Sequence, residues 1–109
     1  EAKMALAGNV RPTAIFALSS TILLGVIRAL NEHEIHIPQD ISVISFDDNL
    51  YMDYLNPPIT RVAQPLEEIG VIAVKMLMQR ISKEEEQLSE LLLEPTIIKR
   101  DSVRVIRND

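Results

Sequence analysis

Two short apolar runs separated by one amphipathic stretch constrain this chain more than any other feature. Thr13-Ala14-Ile15-Phe16-Ala17-Leu18 is almost wholly apolar. It lacks polar alternation, which is how a strand covered on both faces reads. The second run, Ile41 to Phe46, follows the turn residues Pro38-Gln39-Asp40. Between the runs, Ser19, Ser20 and Thr21 are each competent helix N-caps. Behind them Ile22, Leu23, Val26, Ile27 and Leu30 recur at helical spacing to about His33. Strand, helix and strand with short connections predict a right-handed parallel βαβ unit. The fold class expected is therefore α/β.

The flanking segments read less sharply. Ala2 to Ala7 predicts the last turn of a helix, closed by Gly8-Asn9 as a left-handed C-terminal cap. Leu50 to Asn56 predicts a short helical turn, ended by Pro57-Pro58 because a residue before proline is pushed out of the helical region. Ile59 to Ala63 reads as extended. Pro65 opens a further helix, with Glu67 and Glu68 placed against its positive N-terminal dipole and an apolar stripe of Leu66, Ile69, Ala73, Leu77 and Ile81. Ser82 to Glu90 is a charged connector. Leu91 to Leu93 and Thr96 to Ile98 form a last extended stretch, broken by Pro95 and therefore expected at a sheet edge.

Composition narrows the function. The 109 residues are 47% hydrophobic and only 4% aromatic, which calls for an aliphatic core in one small folded unit. Eleven Lys and Arg stand against 16 Asp and Glu, a net charge of −5, so the chain as a whole repels phosphate backbones. Lys99, Arg100, Arg104 and Arg107 form a local basic cluster, read here as a solvated edge. The lack of cysteine removes disulfides, thiolate metal sites and Cys nucleophiles, and suits a reducing compartment. No apolar run approaches the roughly 20 residues of a membrane span. The start at Glu1, without an initiator Met or a signal-peptide pattern, suggests part of something longer.

Catalytic and metal-binding patterns are missing. His33 and His36 lack a third ligand at metal spacing and read as exposed loop residues. Ser19, His33 and Asp47 assemble a triad only on paper, since Ser19 sits in no G-x-S-x-G elbow and the histidines lie at the far end of the helix. Gly8, Gly25 and Gly70 are isolated, so there is no phosphate-cradling loop. No enzyme, cofactor or metal is expected.

Position supplies the remaining clue. In parallel α/β sheets, ligands bind outside the carboxyl ends of the strands. Leu18 leads to Ser19-Ser20, and Phe46 leads to Asp47-Asp48-Asn49. Hydroxyls and carboxylates on such a rim can hydrogen-bond a polyol from several sides. Asp-Asp-Asn is equally good turn chemistry, so ligand contact and turn cap stand level for Asp47 and Asp48.

Several linked segments then resemble the C-terminal core of LacI/GalR-type bacterial transcriptional regulators. They are Pro12 to Ala17, Leu24 to Leu30, Ile37 to Asp48, Pro57 to Pro65, Glu68 to Gly70 and Leu93 to Ser102. The resemblance covers nearly the whole chain in order and spacing. It implies a partial periplasmic-binding-protein-like fold. Residues 1–59 would be a segment of the C-terminal lobe, 60–90 a crossover and N-terminal-lobe helix, and 91–109 a return strand and tail. The effector of such regulators lies between the lobes, so this chain would supply one wall.

Further implications follow from the resemblance, residue by residue. Asp47 matches an effector-binding aspartate and Phe16 a position that can line the pocket. Ser19 and Ser20 fall where many members have Asn-Asp, which alters the contacts available to an effector. Leu24, Tyr51, Tyr54 and Leu55 fall in segments that pack on a partner subunit; for Leu24 ordinary core is an equal reading. One branch of the family binds a phosphorylated carrier protein beside the equivalent of the Pro65 helix. Glu67-Glu68 opposes that here by like-charge repulsion. The expected protein is a cytoplasmic homodimeric repressor sensing a sugar or sugar derivative, with DNA bound only through an N-terminal head outside this chain and no membrane contact. The rival is part of a periplasmic sugar-binding transport protein.

Overall fold

The computed structural model describes residues 1–83 and 90–107. Its elements in chain order are α1 (Ala2–Ala7), β1 (Ala14–Ala17), α2 (Ser20–Glu32), β2 (Ser42–Phe46), a 3-10 turn (Leu50–Asp53), β3 (Thr60–Ala63), α3 (Leu66–Ile81) and β4 (Thr96–Ile98). The strands form one sheet in the order β1-β2-β3-β4. β1 pairs with β2 in parallel, Ile15 beside Val43 and Phe16 beside Ile44. β2 pairs with β3 in parallel, Ile44 beside Thr60 and Phe46 beside Val62. The βαβ unit expected from the two apolar runs is present, with β4 at the sheet edge as Pro95 suggested.

Two compact units make up the chain, Glu1–Ala63 with Ile97–Asp109, and Gln64–Thr96. The first holds the core. Leu23, Val26, Ala29 and Leu30 of α2 pack with Ala17, Val43, Ile41, Ile59, Met52 and Leu6, all buried. Full burial of a side chain the size of Leu23 is worth roughly 1.5–3 kcal/mol, so this aliphatic cluster is the main source of stability. The face of α2 that meets the sheet is the one its periodicity marked, except that Ile22 points outward. α2 begins where Ser19 Oγ accepts the Ile22 N–H at 3.2 Å, the capping bond its hydroxyl predicts.

Several local expectations were corrected. Gly8 is not a left-handed cap: its φ is −70° and its ψ 160°, so the chain leaves α1 directly into extended backbone on its way to Arg11-Pro12. Leu91 to Leu93 form no strand, and only Thr96–Ile98 joins the sheet. β1 is not covered on both faces, because Phe16 is 53% exposed among the described residues while Ala17 is buried. Pro65 is the residue before the first helical position rather than the first itself. The charged connector expected over Ser82 to Glu90 lies, from 84 to 89, outside the described residues.

In the second unit α3 buries none of its residues. Leu66, Ile69, Ala73, Leu77 and Ile81 are all exposed, so no residue of the stripe read from the sequence is buried.

Candidate functional site

The carboxyl ends of β1 and β2 lie side by side because the two strands are parallel and in register. That places Ser19, the second residue of the β1–α2 connection, on the same rim as Asp47, the first residue after β2. Asp47 has φ 78°, a left-handed conformation that aspartate tolerates better than bulky residues but that still costs free energy. Its N–H donates to the Val62 carbonyl at 2.9 Å, which holds the residue at the end of the β2–β3 ladder. Glu34 and Lys83 also have positive φ, and aspartate is a residue that left-handed turn positions favour. Asp47 is half-buried.

The other rim residues take distinct places. Phe16 presents its ring on the open face of β1. Ser19 caps α2 through Oγ. Ser20 opens α2, and its backbone carbonyl accepts a hydrogen bond from the Tyr51 hydroxyl. Tyr51 is thus half-buried against the core and turned toward α2, and desolvation pushes its phenol above the ordinary value of 10.0. Asn49 Oδ1 accepts the Tyr51 N–H at 3.3 Å and caps the 3-10 turn.

Of the residues matched to a partner-facing surface, Tyr54 is 81% exposed and Leu24 48% exposed. Leu24 is therefore not core in this chain. Leu55 is half-buried against the core cluster.

One cluster had no sequence signal. Arg61 on β3 is only 3% exposed, and its guanidinium is ringed by acceptors. Nε donates to Asp48 at 2.8 Å, while the two terminal nitrogens reach the two Asp53 oxygens at 2.8 and 3.1 Å. Arg100 Nε adds a bond to Asp53 at 2.8 Å. Arg61 first, then Arg100, holds the Asp53 carboxyl well below the usual carboxylate range. Asp48 is thus engaged with Arg61, and Arg100 is a pairing residue rather than part of a purely solvated edge. The partners come from separate segments and match no motif, so no local pattern marked them.

A second unforeseen contact closes the sheet where β3 starts opposite Ile44, two residues past the start of β2. Ser102, fully buried, accepts the Thr60 N–H at 2.8 Å on Oγ and donates from Oγ to the Val43 carbonyl at 2.6 Å. Its carbonyl takes the Val43 N–H at 2.9 Å.

His36 and Asp40 meet in the exposed loop before β2, the His36 N–H donating to the carboxylate at 2.8 Å. Among the described residues no group of three or more His, Cys, Asp and Glu is placed to hold a metal, and no helix is long and apolar enough to cross a membrane.

The comparisons with known proteins fit this arrangement. The model of a family described as periplasmic binding protein-like domain matches residues 1–103. The ribose operon repressor of Haemophilus influenzae is 42% identical over 93 residues, covering 85% of this chain and 28% of that protein. The chain belongs to the LacI/GalR family of regulators, as part of its periplasmic-binding-protein-like core. A second LacI/GalR relative, the HTH-type transcriptional repressor PurR of Vibrio cholerae, is 36% identical over 99 residues, covering 91% of this chain and 30% of its own. Among solved structures, a LacI family transcriptional regulator from Enterococcus faecium with bound ribose superposes with a TM-score of 0.79 at 32% identity, covering 94% of this chain and 37% of that one. The chain spans less than a third of the length of the curated LacI/GalR relatives named here.

Proposed function

We propose that this chain is the effector-binding and dimerisation part of a LacI-type transcriptional regulator whose effector is a sugar of the ribose class. One observation carries the reading. Asp47, in a left-handed conformation, and Ser19 stand at the carboxyl ends of adjacent parallel strands, in a chain 42% identical to a ribose operon repressor. The Asp47 carboxylate accepts hydrogen bonds from sugar hydroxyls. Ser19 Oγ already accepts the Ile22 N–H, so its hydroxyl proton is the part left to donate to a ligand. Phe16 offers an exposed ring to the apolar face of a pyranose or furanose. Ser20 contributes chiefly through its backbone.

In this reading residues 1–59 and 91–109 belong to the C-terminal lobe, and 60–90 to a crossover and helix of the N-terminal lobe. The division of the chain at Ala63 and Ile97 supports it. The chain provides one wall of the effector pocket, and DNA is bound by a helix-turn-helix head elsewhere in the parent protein. Leu24, Tyr51, Tyr54 and Leu55 lie on the side of a second subunit of a homodimer, with the Tyr51 hydroxyl bonded inward to the Ser20 carbonyl. The regulator works in the cytoplasm without a cofactor and without turning its ligand over. Effector binding changes DNA affinity because the sugar binds one conformation of the core better than the other.

Titrating D-ribose into the intact protein by calorimetry tests this. Saturable binding with no chemical change in the recovered ribose is expected. Absence of binding, or conversion of the sugar, contradicts the proposal. The rival transport reading is decided upstream in the parent gene, where helix-turn-helix sequence supports the regulator and a signal peptide overturns it.

A further inference from the structure

The two rim segments that bear Ser19 and Asp47 are joined directly by a single side chain. Tyr51, four residues beyond Asp47, donates its hydroxyl proton to the carbonyl of Ser20, the residue after Ser19, across 31 positions of sequence. Both ends of this link are themselves fixed. Asn49 Oδ1 holds the Tyr51 N–H, and the ring packs against the buried core. On the other side, Ser20 is the first residue of α2, immediately after its cap. Asp47 is anchored to β3 through its N–H on the Val62 carbonyl. Beside the β1–β2 ladder and the packing of Leu23 with Met52 in the core, the Tyr51 hydroxyl thus adds a direct hydrogen bond between the first turn of α2 and the segment after β2.

We propose that Tyr51 is a positioning residue for the effector site, its hydroxyl fixing the spacing between Ser19 and Asp47. This rests on the proposed sugar reading. Two groups that grip one small polyol from different loops must hold a fixed separation, because a ligand that has to reorder one loop loses affinity to that ordering. Tyr51 acts through the Ser20 carbonyl and not on the ligand itself. The phenol is well suited to the task, since its rigid ring carries one hydroxyl a long way from the backbone with few rotatable bonds.

Tyr51→Phe in the intact protein isolates the hydroxyl, because the ring and its packing stay. Two measurements are needed. Hydrogen exchange without sugar should quicken at the first turn of α2, Thr21 to Leu24, while β3 keeps its protection. Calorimetry with D-ribose should show the Kd raised about fivefold, the scale of one lost neutral hydrogen bond. Unchanged exchange in Thr21 to Leu24 overturns the inference. So does ribose affinity equal to wild type in a protein that binds ribose; the sugar reading then survives and only the role of Tyr51 falls. A general loss of protection that includes β3 assigns Tyr51 to ordinary stability and also overturns it. Wild-type protein that takes up no ribose brings down the sugar reading, and the positioning role with it.

Discussion

Arg61 and Asp53 meet through two parallel hydrogen bonds, 2.8 and 3.1 Å long, from the buried end of β3 to the 3-10 turn that follows β2. Paired forks of this kind fix geometry as well as charge. The pair ties down the turn on which Tyr51 and Tyr54 sit, so it links the rim of the candidate site to the middle of the sheet. Asp48 and Arg100 complete the cluster from two further segments.

Breaking this pair from the acid side leaves a buried guanidinium short of its partners, which is the costly way to lose an ion pair. Asp53→Ala is expected to lower the melting temperature more than Asp48→Ala, since Asp53 supplies three of the bonds and Asp48 one. Thermal unfolding of the two variants in the intact protein checks the order. Equal losses would contradict it.

The same pair sets a pH dependence. The Asp53 carboxyl is held below its ordinary 3.8 by Arg61 and then Arg100, so the folded state binds its proton less readily than the unfolded chain. Its stabilising contribution is therefore complete above the ordinary carboxylate value and fades as pH falls below it. Stability followed by denaturant titration from pH 6 downward should fall less steeply below about pH 4 in Asp53→Asn than in wild type. Identical pH profiles would remove Asp53 from the account.

Ser102 gives a prediction for the sheet. Ser102→Ala leaves the buried Thr60 N–H without its acceptor and removes the bond to Val43. A loss of about 1–3 kcal/mol is expected from chemical denaturation, the usual cost of orphaning a buried donor. A change within about 0.5 kcal/mol would show that water or a neighbouring group replaces the hydroxyl.

The exposed face of α3 bears on the chain taken alone. Leu66, Val74, Leu77 and Ile81 present apolar area that soluble monomers rarely leave open. The isolated 109-residue chain should self-associate at micromolar concentration in sedimentation velocity. A clean monomer would contradict this.

What could be read from the sequence was what short-range periodicity records. The spacing of Leu23, Val26 and Leu30 and the apolar run through Val43 were sufficient for the βαβ unit, because each pattern is complete within one element. Ser19, Ser20 and Thr21 were equal candidates for the cap for the same reason, and Ser19 is the one that caps α2. The Gly8 cap failed because the composition rule for helix ends says nothing of where the chain must go next. Phe16 was expected to be covered because an apolar run does not reveal which of its faces lies within the same chain. Arg61, Asp53, Arg100 and Ser102 were missed altogether. Their partners lie on different elements, up to 59 residues apart for Ser102 and Val43, and no local spacing marks a contact of that range. For the rim, position after a strand singled out Asp47 and Asp48 but left both level with a turn cap; in the structure Asp48 pairs with Arg61, while Asp47 takes a left-handed backbone that suits a turn as well as a ligand contact.

The central claim is that Asp47 holds the effector, and one substitution tests it most directly. Asp47→Asn keeps a residue that tolerates φ 78° and changes only the charge and one acceptor, so the fold should stand. Titrated with D-ribose by calorimetry, the intact Asp47→Asn protein is expected to bind roughly tenfold to a hundredfold more weakly than wild type, the scale of a lost charged hydrogen bond, with its melting temperature without sugar nearly unchanged. Ribose affinity equal to wild type in that variant would contradict the account.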